Sequence, residues 1–134
     1  MSRILVIDDE PSVRRALRRV LEKFGHEIEE AGDGAAGAIV CANMKPDLVI
    51  TDVIMPKMNG IDATRIIREA NPNVRILAIS GGGNFEAQSY KPDAITTSAY
   101  LAAAEGAGAD SVMTKPFERA ELMERVDALL ALKR

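Results

Sequence analysis

The sequence predicts a single α/β domain in which a doubly wound parallel β-sheet is covered by helices on both faces. Short apolar segments rich in β-branched residues recur along the chain, as expected of strands buried on both sides. Segments with apolar residues at three- and four-residue spacing separate them, which is typical of amphipathic helices. The chain has 134 residues, which suffice for one hydrophobic core but not for two.

The first part of the chain begins this alternation. The segment Ile4–Ile7 predicts strand 1, and Pro11 suits the first turn of a helix that ends at Gly25. A shorter and more polar strand 2 follows over His26–Ala31. The apolar positions of the first helix are Val13, Ala16, Leu17, Val20, Leu21 and Phe24.

The middle of the chain repeats the pattern. An Ala-rich helix follows the turn at Asp33 and ends before Pro46. The segment Leu48–Asp52 predicts strand 3, an apolar run that ends in a carboxylate. A loop over Val53–Asn59 leads to a third helix that ends near Asn71.

The last part completes five strands and five helices. Strand 4 is predicted over Val74–Ile79 and is followed by Ser80, and a short Ala-rich helix stops at Gly106 and Gly108. Strand 5 is predicted over Asp110–Thr114. The final helix carries acidic residues in its first turn, where the helix dipole favours them.

Polar side chains close four of these strands. They are Asp8 and Asp9 after strand 1, Asp52 in strand 3, Ser80 after strand 4 and Lys115 after strand 5. In a doubly wound parallel sheet these ends meet at one edge, where ligands bind. Clustered carboxylates need a compensating cation, and oxygen ligands favour Mg²⁺. A hydroxyl and an ammonium beside that ion predict phosphoryl chemistry.

Several segments occur together and in the order typical of one family. They are Ile4–Glu10, Pro46–Asp52, Met55–Pro56, Asn59–Gly60, Ser80–Gly81, Gly108–Asp110 and Lys115–Phe117. In these segments the chain resembles the receiver domains of two-component response regulators, from about Arg3 to Leu132. The resemblance implies a flavodoxin-like (βα)5 sheet of strand order 2-1-3-4-5.

The resemblance also implies a function and a set of metal ligands. Asp52 would accept a phosphoryl group from a histidine kinase or a phosphotransfer protein. Asp9 and Asp52 would bind Mg²⁺ directly, Asp8 would bind it through water, and the backbone carbonyl of Ile54 would complete the protein ligands.

The remaining family residues concern the phosphoryl group and the switch. Lys115, Ser80 and the backbone N–H of Gly81 would contact phosphoryl oxygens. Movement of Ser80 would reshape the face formed by helix 4, strand 5 and helix 5, where a downstream protein target would bind. Receivers usually carry a Tyr or Phe at the position of Val112, so we expect signalling here to rely on the strand 4 loop.

The connection after strand 4 is longer than the family pattern. Ser80 and Lys115 lie 35 positions apart, whereas family members commonly need a little over 20, so residues of about 81–96 form an inserted loop within one receiver domain of residues 1–134. The insertion is either a partner-recognition segment or lid, or a passive addition.

Composition limits the kinds of partner. The formal net charge is −3, and no block of Lys and Arg predicts direct contact with nucleic acid. No apolar run approaches the length of a membrane span, and the N-terminal segment lacks the pattern of a secretory signal, so we expect a cytoplasmic protein with protein partners. The single Cys41 is expected to pack rather than react.

Two other functions also use these residue types. One is a Mg²⁺-dependent phosphatase with an aspartyl-phosphate intermediate, although such enzymes generally carry a short Asp-x-Asp motif after strand 1. The other is a pseudo-receiver that binds partners without phosphorylation, although every residue type needed for phosphorylation is present. We expect a phosphoacceptor signalling domain that catalyses only its own phosphorylation and dephosphorylation, not an enzyme with a separate substrate.

Overall fold

A computed structural model describes residues 2–53, 60–80, 102–115 and 117–132. Its sheet has five parallel strands in the order β2-β1-β3-β4-β5, as the resemblance implied. The strands are β1 (Arg3–Ile7), β2 (Glu27–Ala31), β3 (Leu48–Asp52), β4 (Arg75–Ser80) and β5 (Ser111–Thr114).

Within the described ranges, five helices connect and cover the strands. Residues 102–107 are helical and are called α4. The others are α1 (Pro11–Lys23), α2 (Gly34–Met44), α3 (Gly60–Ala70) and α5 (Arg119–Leu130). The α2 helix is capped at its N-terminus by Asp33, whose carboxylate accepts a hydrogen bond of 2.8 Å from the backbone N–H of Ala36.

The sheet is buried on both faces, which explains its continuous apolar strands. On one face Ile4 and Val6 pack against Leu21 of α1 and against α5. On the other face Leu5 and Ile7 pack with α2 and α3. Alternate residues of each strand therefore serve opposite layers of the core, as the two-residue period of a strand requires.

Two details of the helices go beyond what the sequence predicted. Gly106 lies inside α4, and the helix ends instead before Gly108, whose φ of +123° suits glycine at the end of a helix. Ala16 of α1 is exposed, and Phe24, the residue directly after α1, is 56% exposed, so neither belongs to the core. The apolar face of α1 is narrower than its composition suggests.

An arginine on α3 fixes the start of β5, the strand that leads to Lys115. The Arg68 guanidinium donates to the Asp110 carboxylate at 2.8 Å and to the backbone carbonyl of Gly108 at 3.0 Å. Asp110 also accepts a hydrogen bond of 2.9 Å from the N–H of Ile76 in β4. These contacts hold β5 in register with its neighbour.

The start of α3 approaches the end of β3 so closely that only glycine fits at residue 60. The Gly60 N–H donates to the carbonyl of Val53 at 2.8 Å. A Cβ at this position would lie 2.0 Å from the backbone oxygen of Asp52. The glycine at position 60 therefore reflects a steric requirement next to Asp52.

We predict that Gly60→Ala lowers the free energy of unfolding by about 2 kcal/mol or more, because the backbone must shift to admit a methyl group. Gly106→Ala is the matched control, since a Cβ there meets nothing within 4 Å and α4 is helical at that residue. It should raise the free energy of unfolding by up to about 1 kcal/mol. Urea denaturation measures both, and equal stabilities of the two variants would contradict the steric account.

Candidate functional site

Two neighbouring strands bring the acidic residues together. β1 pairs with β3 in a register that sets Ile7 opposite Thr51, so Asp8 and Asp52 follow at the same end of adjacent strands. Asp9 is the next residue. One carboxylate oxygen from each of Asp8, Asp9 and Asp52 lies within 4.8 Å of the other two, so these residues cluster as the sequence predicted.

Asp8 is held from several directions. Its N–H donates to the carbonyl of Ala31 at 3.1 Å, and its carboxylate accepts from the N–H of Glu10 at 2.9 Å. Its backbone carbonyl accepts from the Arg14 guanidinium at 2.6 Å. Asp8 is only 3% exposed, so these contacts replace hydrogen bonds with water.

Lys115 joins the cluster from the end of β5. Its backbone N–H donates to the carbonyl of Ser80 at 2.9 Å, and its ammonium lies 3.3 Å from Asp52 and 3.4 Å from Asp8. Burial alone lowers the pKa of Lys115, but attraction by Asp52 and then by Asp8 outweighs it and the net shift is upward. Lys115 is therefore a cation at neutral pH.

One ammonium does not balance three carboxylates. Burial raises the pKa of Asp9, and repulsion by Asp8 adds to the effect, so the cluster resists full ionisation. A hard divalent cation with oxygen ligands would remove that cost. The donor set and its excess negative charge therefore fit Mg²⁺.

Ser80 brings a hydroxyl to the same edge. It ends β4, whose Ile79 pairs with Asp52 of β3. The side chain is fully buried, and its Oγ has no hydrogen-bond partner within the described part of the chain. A buried hydroxyl without a partner costs about 1–3 kcal/mol, so this atom suits a ligand that accepts a hydrogen bond.

A family model for the response regulator receiver domain matches residues 4–127. The chain is a response regulator receiver domain. The response regulator MprA of Mycobacterium sp. (strain KMS) is 35% identical over 128 residues, which are 96% of this chain and 50% of that protein. The chain thus spans about half the length of the curated relatives it matches.

Solved structures of related proteins share the fold. A two-component response regulator of the LuxR family from Aurantimonas sp. SI85-9A1 is 32% identical, with a TM-score of 0.82 over 100% of this chain and 88% of that chain. Response regulator TrrA from Thermotoga maritima, crystallised with Mg²⁺ and BeF, is 29% identical, with a TM-score of 0.76 over 96% of this chain and 99% of that chain. These similarities confirm the predicted family and its CheY-like flavodoxin fold.

Not every predicted site residue of the receiver domain is described. Ile54, Gly81 and the proposed insertion of residues 81–96 lie outside the described residues. Val112 lies in β5, is partly buried and packs against the small cluster that contains Ala104 of α4. Its assignment to the switch region stays a prediction.

Two further features of the receiver domain are the environment of Cys41 and the length of its helices. Cys41 is buried, and burial raises the pKa of its thiol, which agrees with a packing role. Within the part of the chain that the structure describes, no helix is both long and apolar enough to cross a membrane.

One feature of the site was missed at the level of sequence. Arg14 joins the backbone of Asp8 to Glu30 on β2. Neither Arg14 nor Glu30 belongs to a motif identified in the sequence. The available hint was that Arg14 follows Asp8 by less than two helical turns while β2 carries several acids.

We predict that Asp9→Asn stabilises the metal-free receiver domain at neutral pH by up to about 1 kcal/mol, since Asp9 is only partly buried. The folded-state pKa of Asp9 is raised, so the folded state binds that proton more tightly than the unfolded state does. Its ionisation therefore lowers stability above the raised pKa, and the cost disappears as pH falls to the ordinary carboxyl range.

Thermal unfolding in EDTA, compared at neutral and at acidic pH, measures this gain. Asp127→Asn is the control, because Asp127 is an exposed carboxylate on α5. An Asp9→Asn variant no more stable than this control at neutral pH would contradict the predicted repulsion.

Proposed function

We propose that this receiver domain accepts a phosphoryl group on Asp52, in a Mg²⁺-dependent reaction, from a histidine kinase or a phosphotransfer protein. The observation that carries the proposal is the position of the Asp52 carboxylate. It lies among two other carboxylates and 3.3 Å from the ammonium of Lys115, at the edge of the sheet where ligands bind. A carboxylate placed there can attack phosphorus while fixed charges surround it.

The acidic residues provide the metal site. Asp9 and Asp52 would hold Mg²⁺ directly, Asp8 would hold it through water, and the carbonyl of Ile54 would add a ligand. When bound, Mg²⁺ offsets the carboxylate charge and the charge on the phosphoryl oxygens. Support comes from the oxygen-only donor set, from its uncompensated charge, and from the Mg²⁺ complex of the related TrrA protein.

Lys115 and Ser80 orient the phosphoryl group. The Lys115 ammonium, which already bridges Asp8 and Asp52, contacts one phosphoryl oxygen as the bond to Asp52 forms. The Ser80 hydroxyl and the N–H of Gly81 contact another. The buried Oγ of Ser80, which has no hydrogen-bond partner among the described residues, supports this role, because a phosphoryl oxygen would satisfy it.

Ser80 also begins the structural change that carries the signal. Its backbone carbonyl accepts from the N–H of Lys115, so movement of Ser80 is transmitted directly to the end of β5. The response then reaches the surface formed by α4, β5 and α5, where a downstream protein binds. Val112, in place of the usual aromatic residue, lies on that route, and the loop after β4 carries the change without a rotating ring.

The same proposal includes the domain organisation, the cellular location and the kind of partner. Residues 1–134 form one receiver domain with an inserted loop at about residues 81–96, between β4 and α4. The domain works in the cytoplasm with protein partners and contacts neither nucleic acid nor membrane. Its chemistry is limited to its own phosphorylation and dephosphorylation.

Incubation with acetyl phosphate and Mg²⁺ tests the function. We predict a mass increase of one phosphoryl group on the intact protein, lost in Asp52→Asn and retained in the control Asp127→Asn. Ser80→Ala should slow the reaction about a hundredfold, because one hydrogen bond to a phosphoryl oxygen is lost. Mass spectrometry over time measures both effects.

Two outcomes would contradict the proposal. Continuous release of inorganic phosphate without a stable modified protein would indicate a phosphatase. An unchanged mass in the wild-type protein would indicate a pseudo-receiver that binds its partners without phosphorylation.

A further inference from the structure

We propose that Arg14 is a positioning residue for the Mg²⁺ site, which it serves by fixing the peptide between Asp8 and Asp9, and that Glu30 holds Arg14 in place. The inference rests on the proposed function, because it concerns the metal site of that reaction. It adds two residues, one on α1 and one on β2, that have no direct contact with the phosphoryl group.

The contacts are short and partly shielded from solvent. The Arg14 guanidinium donates through Nη1 to the carbonyl of Asp8 at 2.6 Å and through Nε to the carboxylate of Glu30 at 3.0 Å. The two side chains are 18% and 24% exposed. Hydrogen bonds from a charged donor are stronger than neutral ones, and more so where water is excluded.

The carbonyl of Asp8 matters because it belongs to the same planar peptide as the N–H of Asp9. A hydrogen bond that holds this plane also holds the N–Cα bond of Asp9, so the direction of the Asp9 side chain can then vary only by rotation about that bond. Within the described part of the chain, no other residue holds the Asp9 carboxylate by a hydrogen bond or an ion pair. Asp9 is therefore aimed by its backbone, and Arg14 holds that backbone.

Glu30 compensates the positive charge that Arg14 places near the cation site. A bare guanidinium beside a cation site would repel the cation. Glu30 pairs with Arg14 through one oxygen and with Arg18 through the other, at 3.0 and 2.5 Å, and Arg18 also pairs with Glu22 at 2.9 Å. Two arginines and two glutamates balance, so Arg14 orients the loop without an uncompensated positive charge.

Neighbouring arginines provide matched controls. Arg15 and Arg19 lie on the exposed side of the same helix. Neither makes a hydrogen bond or an ion pair with another residue that the structure describes. Removing either one changes the helix charge by the same amount as removing Arg14, but leaves the peptide of Asp8 untouched.

Calorimetric titration of Mg²⁺ into the unphosphorylated protein tests the proposal without any turnover. We predict that Arg14→Ala raises the Kd for Mg²⁺ on the order of tenfold, the size typical of residues that orient metal ligands. Arg14→Lys should be intermediate. Glu30→Gln should also raise the Kd, since it leaves the Arg14 charge uncompensated. Arg15→Ala should leave the Kd within twofold of the wild type, about the scatter expected of a distant, independent site.

The direction in which the Kd for Mg²⁺ changes distinguishes a positioning role of Arg14 from a simple charge effect. Removing positive charge alone would tighten Mg²⁺ binding, so a lower or unchanged Kd in folded Arg14→Ala overturns the proposal. Circular dichroism establishes folding, and if Arg14→Ala is unfolded, an unchanged Kd in Arg14→Lys and Glu30→Gln overturns it instead. A wild-type protein that binds no Mg²⁺ contradicts the proposed function and this inference together, whereas wild-type binding with an unaltered variant contradicts this inference alone.

Discussion

Mutual repulsion among three carboxylates, which the sheet places at one edge, is the unfavourable interaction that the rest of the structure must offset. Asp8 and Asp52 are nearly buried there, and Lys115 supplies the only ammonium in contact with them among the described residues. Without a cation, such a cluster lowers the free energy of unfolding, and a bound cation would remove most of that cost. The residues that surround it keep the carboxylates close despite that cost.

Several independent contacts provide this support. Apolar layers on both sides fix the strands, Gly60 allows α3 to pack directly on the end of β3, and Arg68 sets the position of β5. Arg14 restrains the peptide that leads to Asp9. Groups held in advance by rigid elements need little reorganisation when a phosphoryl group arrives, which is how a small domain can promote its own modification.

The sequence predicted the sheet and the cluster of polar residues at its edge, because four of the five strands end in, or are followed at once by, one of those residues. It did not predict the pairing of Arg14 with Glu30, since periodicity assigns a charged residue to a helix face but does not identify its partner on another element. The burial of the Ser80 hydroxyl, with no partner in the part of the chain that the structure describes, likewise depends on packing around β4. The sequence could not decide between Gly106 and Gly108 as the end of α4, because they look alike in sequence and only the second has a positive φ.

A crystal structure of the protein grown with Mn²⁺ tests the central claim most directly, because Mn²⁺ accepts the same oxygen ligands as Mg²⁺ and gives an anomalous signal. The account predicts one strong anomalous peak bounded by the carboxylates of Asp8, Asp9 and Asp52. A map with no peak in this cluster, or with its strongest peak at another surface, would contradict it.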